Sequence, residues 1–272
     1  MNHLLRDLAP LSDTAWAAID SEVAERLKPH LAARRLADFH GPHGWQHDAS
    51  GLGRIATLSG PPAGEVGEGT TTRQRQVLPL VEVRVPFTLS RAEIADAERG
   101  ALDLDLDAAR QAAERAARIE NRAVFHGWEE ACMTGITQAS SHPASALGED
   151  ADDYPRVAAR AVDTLRSAGV EGPYGLVIDP EGYTHIVETT EHGGYLLMDH
   201  LRRVLGGGSV VRSPGIDGAV VMSLRGGDFR LEVGQDLSVG YERHDDTAVT
   251  FYLEESFTFR VTEPDAAIAL TR

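Results

Sequence analysis

From Asp107 to His126 the chain contains neither glycine nor proline and is rich in alanine, and Gly127 follows immediately. Alanine gives up least on entering a helix and glycine favours its end, so the stretch predicts a single helix of about 20 residues. It is the strongest candidate for a structural spine. A long strand near the other end complements it. From Val249 to Val261, Val, Phe, Leu, Glu, Phe, Phe and Val alternate with Thr, Tyr, Glu, Ser, Thr and Arg. A period of two puts the first set on a buried face and the second on a polar one, with Glu255 as the only charged intruder inside.

The remaining pattern divides the chain into two regions. Asp13 opens an amphipathic helix carrying Trp16, Ile19, Val23, Leu27 and Leu31 on one face, and Pro29 is expected to kink or split it. Ser50 to Thr72 is glycine-rich and lacks both helical and strand periodicity, so it reads as an extended, mobile excursion. It leads into a strand in which Val81, Val83, Val85 and Phe87 alternate with Glu82, Arg84 and Pro86, the proline arguing that pairing stops there or lies on an edge. Ser90 to Glu93 has a capping-box pattern, opening a short helix that Gly100 closes. Beyond Met133 the signals are α/β. A helix through Val157, Ala161 and Leu165 is stopped by Gly169, "YGLVID" is a short buried strand, Asp179 and Pro180 open another helix, and short strands follow near Val210 and Val220. The chain ends and the spine make a mixed platform, with an α/β region inserted near residues 133–222.

Charge and composition exclude several partners. The 42 acidic against 26 basic side chains give a formal charge of −16, and Lys28 is the only lysine. Neutralising phosphates takes a basic stripe, and the arginines here are interleaved with acids, so no nucleic-acid partner is expected. The longest apolar runs fall far short of the roughly 20 residues that cross a bilayer. No secretion signal opens the chain, and a cytoplasmic protein without a membrane partner is expected. Cys132 is the single cysteine, which excludes an intrachain disulfide and a multi-cysteine zinc site.

Catalytic motifs fail on their context. "GLGRIA" at Gly51 to Ala56 fits a dinucleotide fingerprint in letters only, because no apolar strand precedes it and no helix follows. P-loop, H-E-x-x-H and G-x-S-x-G motifs are absent from the sequence. "HGPHGWQH" spaces His40, His43 and His47 closely, yet Gly41, Pro42 and Gly44 predict a tight surface turn with splayed side chains and no metal site. In the stretch around "VETTEHGGYLLMDH", His185 and Glu188 share a helix face, but no further element orients them with His192. A single copy therefore offers no adequate site there, and no catalytic residue is expected.

Six segments, "NHLLRDLAPLSDTAWAAID", "HLAARRLADFHGPHGW", "LPLVEVRVPFTLS", "IADAERG", "VEGPYGLVI" and "RGGDFRLEVGQDLSVGYERHDDTAVTFYLEESFTF", span nearly the whole chain in order. In them the chain resembles the type 1 encapsulin (linocin-like) family, shell proteins of bacterial nanocompartments that are similar to tailed-phage capsid proteins. The resemblance implies an α+β, HK97 phage capsid-like fold. Its parts would be an N-terminal helix and the start of a peripheral domain (1–49), an extended loop (50–78), the peripheral domain with the spine helix (79–132), an axial domain (133–222) and peripheral C-terminal strands (223–272). It also implies a non-enzymatic protomer that self-assembles into an icosahedral shell, the smallest being of about 60 copies with a triangulation number of one. The cargo implied is a dye-decolorising peroxidase, or an iron-storing ferritin-like protein, bearing a C-terminal targeting peptide. Leu89 to Ala95 offers Arg91 and Ala92 but no aromatic ring for a flavin, so no cofactor is expected.

Two sets of site residues follow by position from the same resemblance. A cargo-peptide groove would use Leu27, Leu31, Arg34 and Asp38 with Asp228 and Leu231 of "GGDFRL". The leucines would grip apolar side chains, unless Leu27 and Leu31 are simply core, and Arg34 and Asp38 would hold the peptide's backbone or polar ends. At a five-fold tip, Glu188, Glu191, His192, Gly193, Gly194 and Tyr195 would repeat around a pore that filters solutes by size and charge, with His192 adding sensitivity to pH. A phage or prophage major capsid protein is the rival structural reading. A protease or bacteriocin-like hydrolase is the enzymatic one, and the sequence shows no nucleophile–base pair for it.

Overall fold

The computed structural model describes residues 3–60, 70–148, 150–190 and 196–272. Ser12, in extended conformation, accepts a hydrogen bond from the Ala15 N–H and so caps helix α1 (Asp13–His30). Trp16, Ile19, Val23 and Leu27 form its buried face. Pro29 neither kinks nor splits this helix as expected, because it occupies the last turn, where the helix is ending in any case. Four strands follow: β1 (Asp38–His40), β2 (Ala49–Thr57), β3 (Arg73–Pro79) and β4 (Val81–Ser90). The Ser90 hydroxyl accepts from the Glu93 N–H to start α2 (Arg91–Glu98), and the spine is α3 (Asp107–His126). Next come α4 (Ile136–Ala139), β5 (Ser145–Ala146), α5 (Tyr154–Ser167), β6 (Tyr174–Ile178), α6 (Pro180–Glu188), α7 (Leu197–Val204), β7 (Val210–Arg212) and β8 (Ala219–Ser223). The chain finishes with β9 (Phe229–Val233), β10 (Ser238–His244), β11 (Ala248–Val261) and β12 (Ala267–Thr271).

Strand β11 organises the first sheet. One edge pairs antiparallel with β4, from Ala248 opposite Ser90 to Phe257 opposite Val81. The other edge carries β10 along its first half and β9 along its second, and β1 adds in parallel beyond β9. Among the described strands β4 pairs only with β11, so Pro86 lies on an edge, where its missing N–H breaks no ladder. Phe251 of β11 stacks on Phe87 of β4 with centroids 5.3 Å apart and meets Trp16 of α1 edge-on at 5.4 Å. Ala109, Ala112, Ala113, Ala116 and Ala117 of α3 are buried, and their small side chains let α1 and β4 lie close against the spine.

Three features depart from the sequence pattern. The alternation of β11 predicts one polar face, but Tyr252, Glu254, Ser256 and Thr258 are buried as well. Distant segments cover them: the Tyr252 hydroxyl donates to the His3 carbonyl, the Tyr241 N–H donates to the Leu4 carbonyl, and Ser256 Oγ accepts from the Gln235 N–H. Secondly, residues 50–60 and 70–78 are not a featureless excursion. β2 and β3 pair antiparallel as a two-stranded ribbon, with a register shift between Gly51 and Ile55. Finally, β12 falls within the 223–272 segment assigned to the platform, yet it lies between β8 and β5 in a second sheet of order β5-β12-β8-β6-β7. Its run of Ala267, Ile268, Ala269 and Leu270 is apolar throughout and needs cover on both faces, where α4 and α5 contact it.

Candidate functional site

The end of α1, strand β1 and the turn before β9 meet beside the first sheet. Arg34 sits in a short 3-10 turn (Ala33–Arg35) and reaches three carboxylates: Glu120 of α3 at 2.7 Å, Asp236 at 2.6 Å and Glu255 of β11 at 3.1 Å. Its guanidinium also lies over the Phe39 ring, 5.1 Å from the centroid. Glu120 and Glu255 are wholly buried. Burial pushes the carboxyl of Glu255 well above the usual range, and the neighbouring charge of Glu120 pushes it further. Burial raises Glu120 too, against the pull of Arg34, and one oxygen of each of these carboxyls is buried without a hydrogen-bond partner among the described residues. One guanidinium thereby holds two buried carboxyls, and their neighbouring like charges favour the neutral form of Glu255.

Asp38 lies four residues beyond Arg34, and its carboxylate accepts from the Gly227 N–H at 2.5 Å. β1 sets Asp38 opposite Arg230 and Phe39 opposite Leu231 in the parallel register with β9. Asp228 is buried and takes two hydrogen bonds of 2.9 Å from the Arg225 guanidinium. Arg34, Asp38, Asp228 and Leu231 are thereby gathered along the β1–β9 pair. Leu27, Leu31 and Leu231 belong to the buried core. What remains accessible at this place is the partly exposed Phe39, with Arg34 and Asp38 beside it.

Sequence reasoning missed Phe39, Glu120 and Asp236. Glu120 was detectable, because it continues at helical spacing the buried stripe of Ala109, Ala113, Ala116 and Ala117.

The other candidate place is the tip between α6 and α7. Asp179 caps α6 by accepting from the Gly182 N–H at 2.7 Å, and Glu188, at the end of this helix, is exposed. A bridge between Thr190 and Leu196 brings the two sides of the tip together. Glu191, His192, Gly193, Gly194 and Tyr195 lie outside the described residues. At the turn after β1 the expected splay of side chains is not found: His43 and His47 turn toward each other, with ring centroids 4.7 Å apart. The turn is held against β9 by main-chain hydrogen bonds, from the His43 N–H to Val233 and from the Gly44 N–H to Gly234, and these aim both rings the same way.

A family model described as an encapsulating protein for peroxidase matches residues 1–258. The chain belongs to the encapsulin family. The type 1 encapsulin shell protein of Rhodospirillum rubrum is 47% identical over 271 residues, covering 99% of this chain and 96% of that relative. The type 1 encapsulin shell protein of Mycobacterium tuberculosis is 42% identical over 271 residues, covering 100% of both. Among solved structures, a virus-like particle from Pyrococcus furiosus superposes with a TM-score of 0.64 at 16% identity, covering 94% of this encapsulin and 98% of that chain. The capsid of an empty GTA particle gives 0.54 at 17% identity, covering 88% and 95%. These likenesses establish the α+β HK97-type capsid fold. This encapsulin is a shell protein of a capsid-like cage, and its whole-chain relatives are shell proteins too.

The proton on Glu255 makes stability depend on pH. A carboxyl whose folded pKa is raised contributes stability that is fully present below its unfolded value, about 4.3, and is lost as pH rises through the folded value. Glu255→Gln keeps the shape and the donor but removes the ionisation. The variant should lose less stability than the native protein as pH rises from the ordinary carboxylate range toward neutrality, read as denaturation midpoints along a pH series. Parallel curves for the two proteins would show that Glu255 is ionised throughout.

Proposed function

We propose that this encapsulin tiles into a closed icosahedral shell of about 60 copies and encloses a peroxidase that carries a C-terminal targeting peptide, a ferritin-like protein being the second candidate cargo. The observation that carries the reading is the whole-chain match to type 1 shell proteins, under a family description that names a peroxidase as the encapsulated partner. A phage capsid is disfavoured, since relatives 38–47% identical over 271 residues are named type 1 encapsulin shell proteins. The ribbon supports tiling. A two-stranded ribbon is marginal by itself in water, and Ile55 and Val77, both about half exposed or more at 55% and 51%, remain to be covered. A neighbouring copy supplies that cover. We propose a cytoplasmic compartment. No helix among the described residues is long and apolar enough to cross a membrane. Electron microscopy of the purified native protein should show hollow particles of one size, with the cargo identified by mass spectrometry of what co-purifies. A stable single molecule at physiological concentration would end the proposal.

The targeting peptide is proposed to dock beside β1, against Leu27, Leu31, Arg34, Asp38, Asp228 and Leu231. The leucines and Leu231 shape the site from below, and Asp38 fixes the turn that carries Asp228. Without the Asp38–Gly227 bond the turn is no longer held in shape, so Asp38→Ala should weaken binding of the peptide about tenfold, roughly 1.4 kcal/mol. Cargo per intact shell, measured by quantitative gel or native mass spectrometry, falls accordingly; unchanged loading removes Asp38 from the groove.

Five copies of the α6–α7 tip are proposed to surround a pore, with Glu188, Glu191 and His192 as charged rings and Gly193, Gly194 and Tyr195 shaping the constriction. Replacing Glu191 and His192 together by alanine should speed entry of anionic solutes relative to neutral ones of the same size, followed by quenching of an encapsulated fluorophore. Equal entry rates for the native and variant shells would remove both residues from the filter.

A further inference from the structure

Three side chains to which the shell reading gives no task converge at the foot of the β2–β3 ribbon. His43, His47 and Glu232 each offer one ligand atom, and these atoms all lie within 4.8 Å of one another. His47 Nε2 is 2.8 Å from Glu232 Oε1. We propose that these three residues bind one divalent transition-metal ion of the zinc class, independently of what the shell encloses.

The donor set fits that class. Two imidazoles and one carboxylate suit Zn²⁺ and its first-row neighbours, and three protein ligands leave a fourth position for water or another ligand. Bonds of about 2.0–2.1 Å in tetrahedral geometry need ligand atoms roughly 3.3–3.5 Å apart, so around an ion the widest separation closes by about 1.3–1.5 Å and the His47–Glu232 pair, now 2.8 Å apart, opens by about 0.6 Å. His43 is exposed and free to supply that movement, whereas Glu232 is buried and fixed. Its Oε2 is held by the Ser50 hydroxyl at 2.6 Å and by Arg230 Nε at 3.0 Å, which leaves Oε1 facing the histidines. Outer partners of this kind orient the ligating oxygen of a metal site.

The backbone prepares the approach. The His43 N–H donates to the Val233 carbonyl at 3.0 Å, the Gly44 N–H to the Gly234 carbonyl at 2.9 Å, and the His47 N–H to the Gly44 carbonyl at 3.1 Å. Gly41 has φ of +137° and lies so close to β9 that an added Cβ would be 2.4 Å from the Val233 carbonyl oxygen. Only glycine permits that seat, and it holds both histidines over the strand that bears Glu232. The hydrogen bond between His47 and Glu232 accounts for two members of the trio, and the turn sets the exposed His43 beside them. An ion bound by all three would join this turn to β9 and, through Ser50, to β2, fixing the ribbon at its base.

The test uses untagged, full-length, assembled protein, stripped with a chelator and titrated with Zn²⁺ by calorimetry and with Co²⁺ by visible absorption. One ion per chain, a tetrahedral Co²⁺ spectrum and a thermal midpoint that rises with Zn²⁺ are expected. His43→Ala changes an exposed residue and should leave the metal-free midpoint unaltered while lowering Zn²⁺ affinity about 100-fold. Combining it with His47→Ala should abolish saturable uptake. Equal uptake and affinity in the native protein and His43→Ala, or no saturable uptake by the native protein, overturns the proposal, and particle images of the same samples keep that outcome separate from failure to assemble.

Discussion

Glu254 and Glu255 are adjacent, fully buried, and point to opposite faces of the strand that holds the first sheet together. Burying a carboxylate without a partner costs several kcal/mol, so neither face closes until a proton or a cation reaches it. On one face Arg34 arrives with the end of α1 and engages Glu120 of the spine as well as Glu255. On the other, Arg84 stands directly opposite Glu254 in the β4–β11 register, 2.5 Å from its carboxylate, with its guanidinium over the Tyr252 ring at 4.7 Å. His3 Nε2 comes within 3.3 Å of the same carboxylate. One strand thereby collects the end of α1, α3, β4 and the N-terminal segment through charge, while Trp16 and Phe87 bring two of those elements, α1 and β4, against its Phe251 through apolar contact.

With the charges of the platform satisfied from within, what the fold leaves for other copies is at its extremities. Ile55, Leu58 and Val77 are exposed on the ribbon and beside it, and Val187 and Leu196 flank the α6–α7 tip. Each patch is small and far too little to hold two molecules together alone. A protomer that meets its neighbours through several such patches gains by their number, since each contact after the first is made at high effective concentration. Closed symmetry supplies that number. The exposed apolar residues of the ribbon and the tip suit contacts of this kind.

Elements specified by local chemistry were legible from sequence. The spine has the bounds predicted by its alanines and Gly127, and the Ser90 cap, the Asp179 cap and the stop at Gly169 follow rules that act within a few residues. Glu255 was identifiable as a charge on an apolar face because period-2 alternation is also local. Features set by distant partners were not legible. The second face of β11 looks polar until residues 3–8 are laid over it, and nothing in "AIAL" tells which of two sheets β12 will join. The ribbon escaped notice since its glycines carry no alternation to read. The His43–His47–Glu232 cluster escaped because its third member is 185 positions from His47.

The same accounting bears on how the proposed groove can recognise a peptide. Arg34 gives three of its five N–H groups, one from each nitrogen, to carboxylates, Asp38 is engaged by Gly227 and Asp228 by Arg225. A guest that displaced these internal partners would leave a buried acid uncompensated, at a cost of about 3–5 kcal/mol for each pair broken. Recognition that leaves the pairs intact costs nothing of the kind. It relies on the ring of Phe39, held in place by the guanidinium beneath it, and on the shape of the turn that Asp38 fixes. In the proposed groove the charged residues would act as the frame, with the partly exposed ring of Phe39 as the apolar surface left for docking.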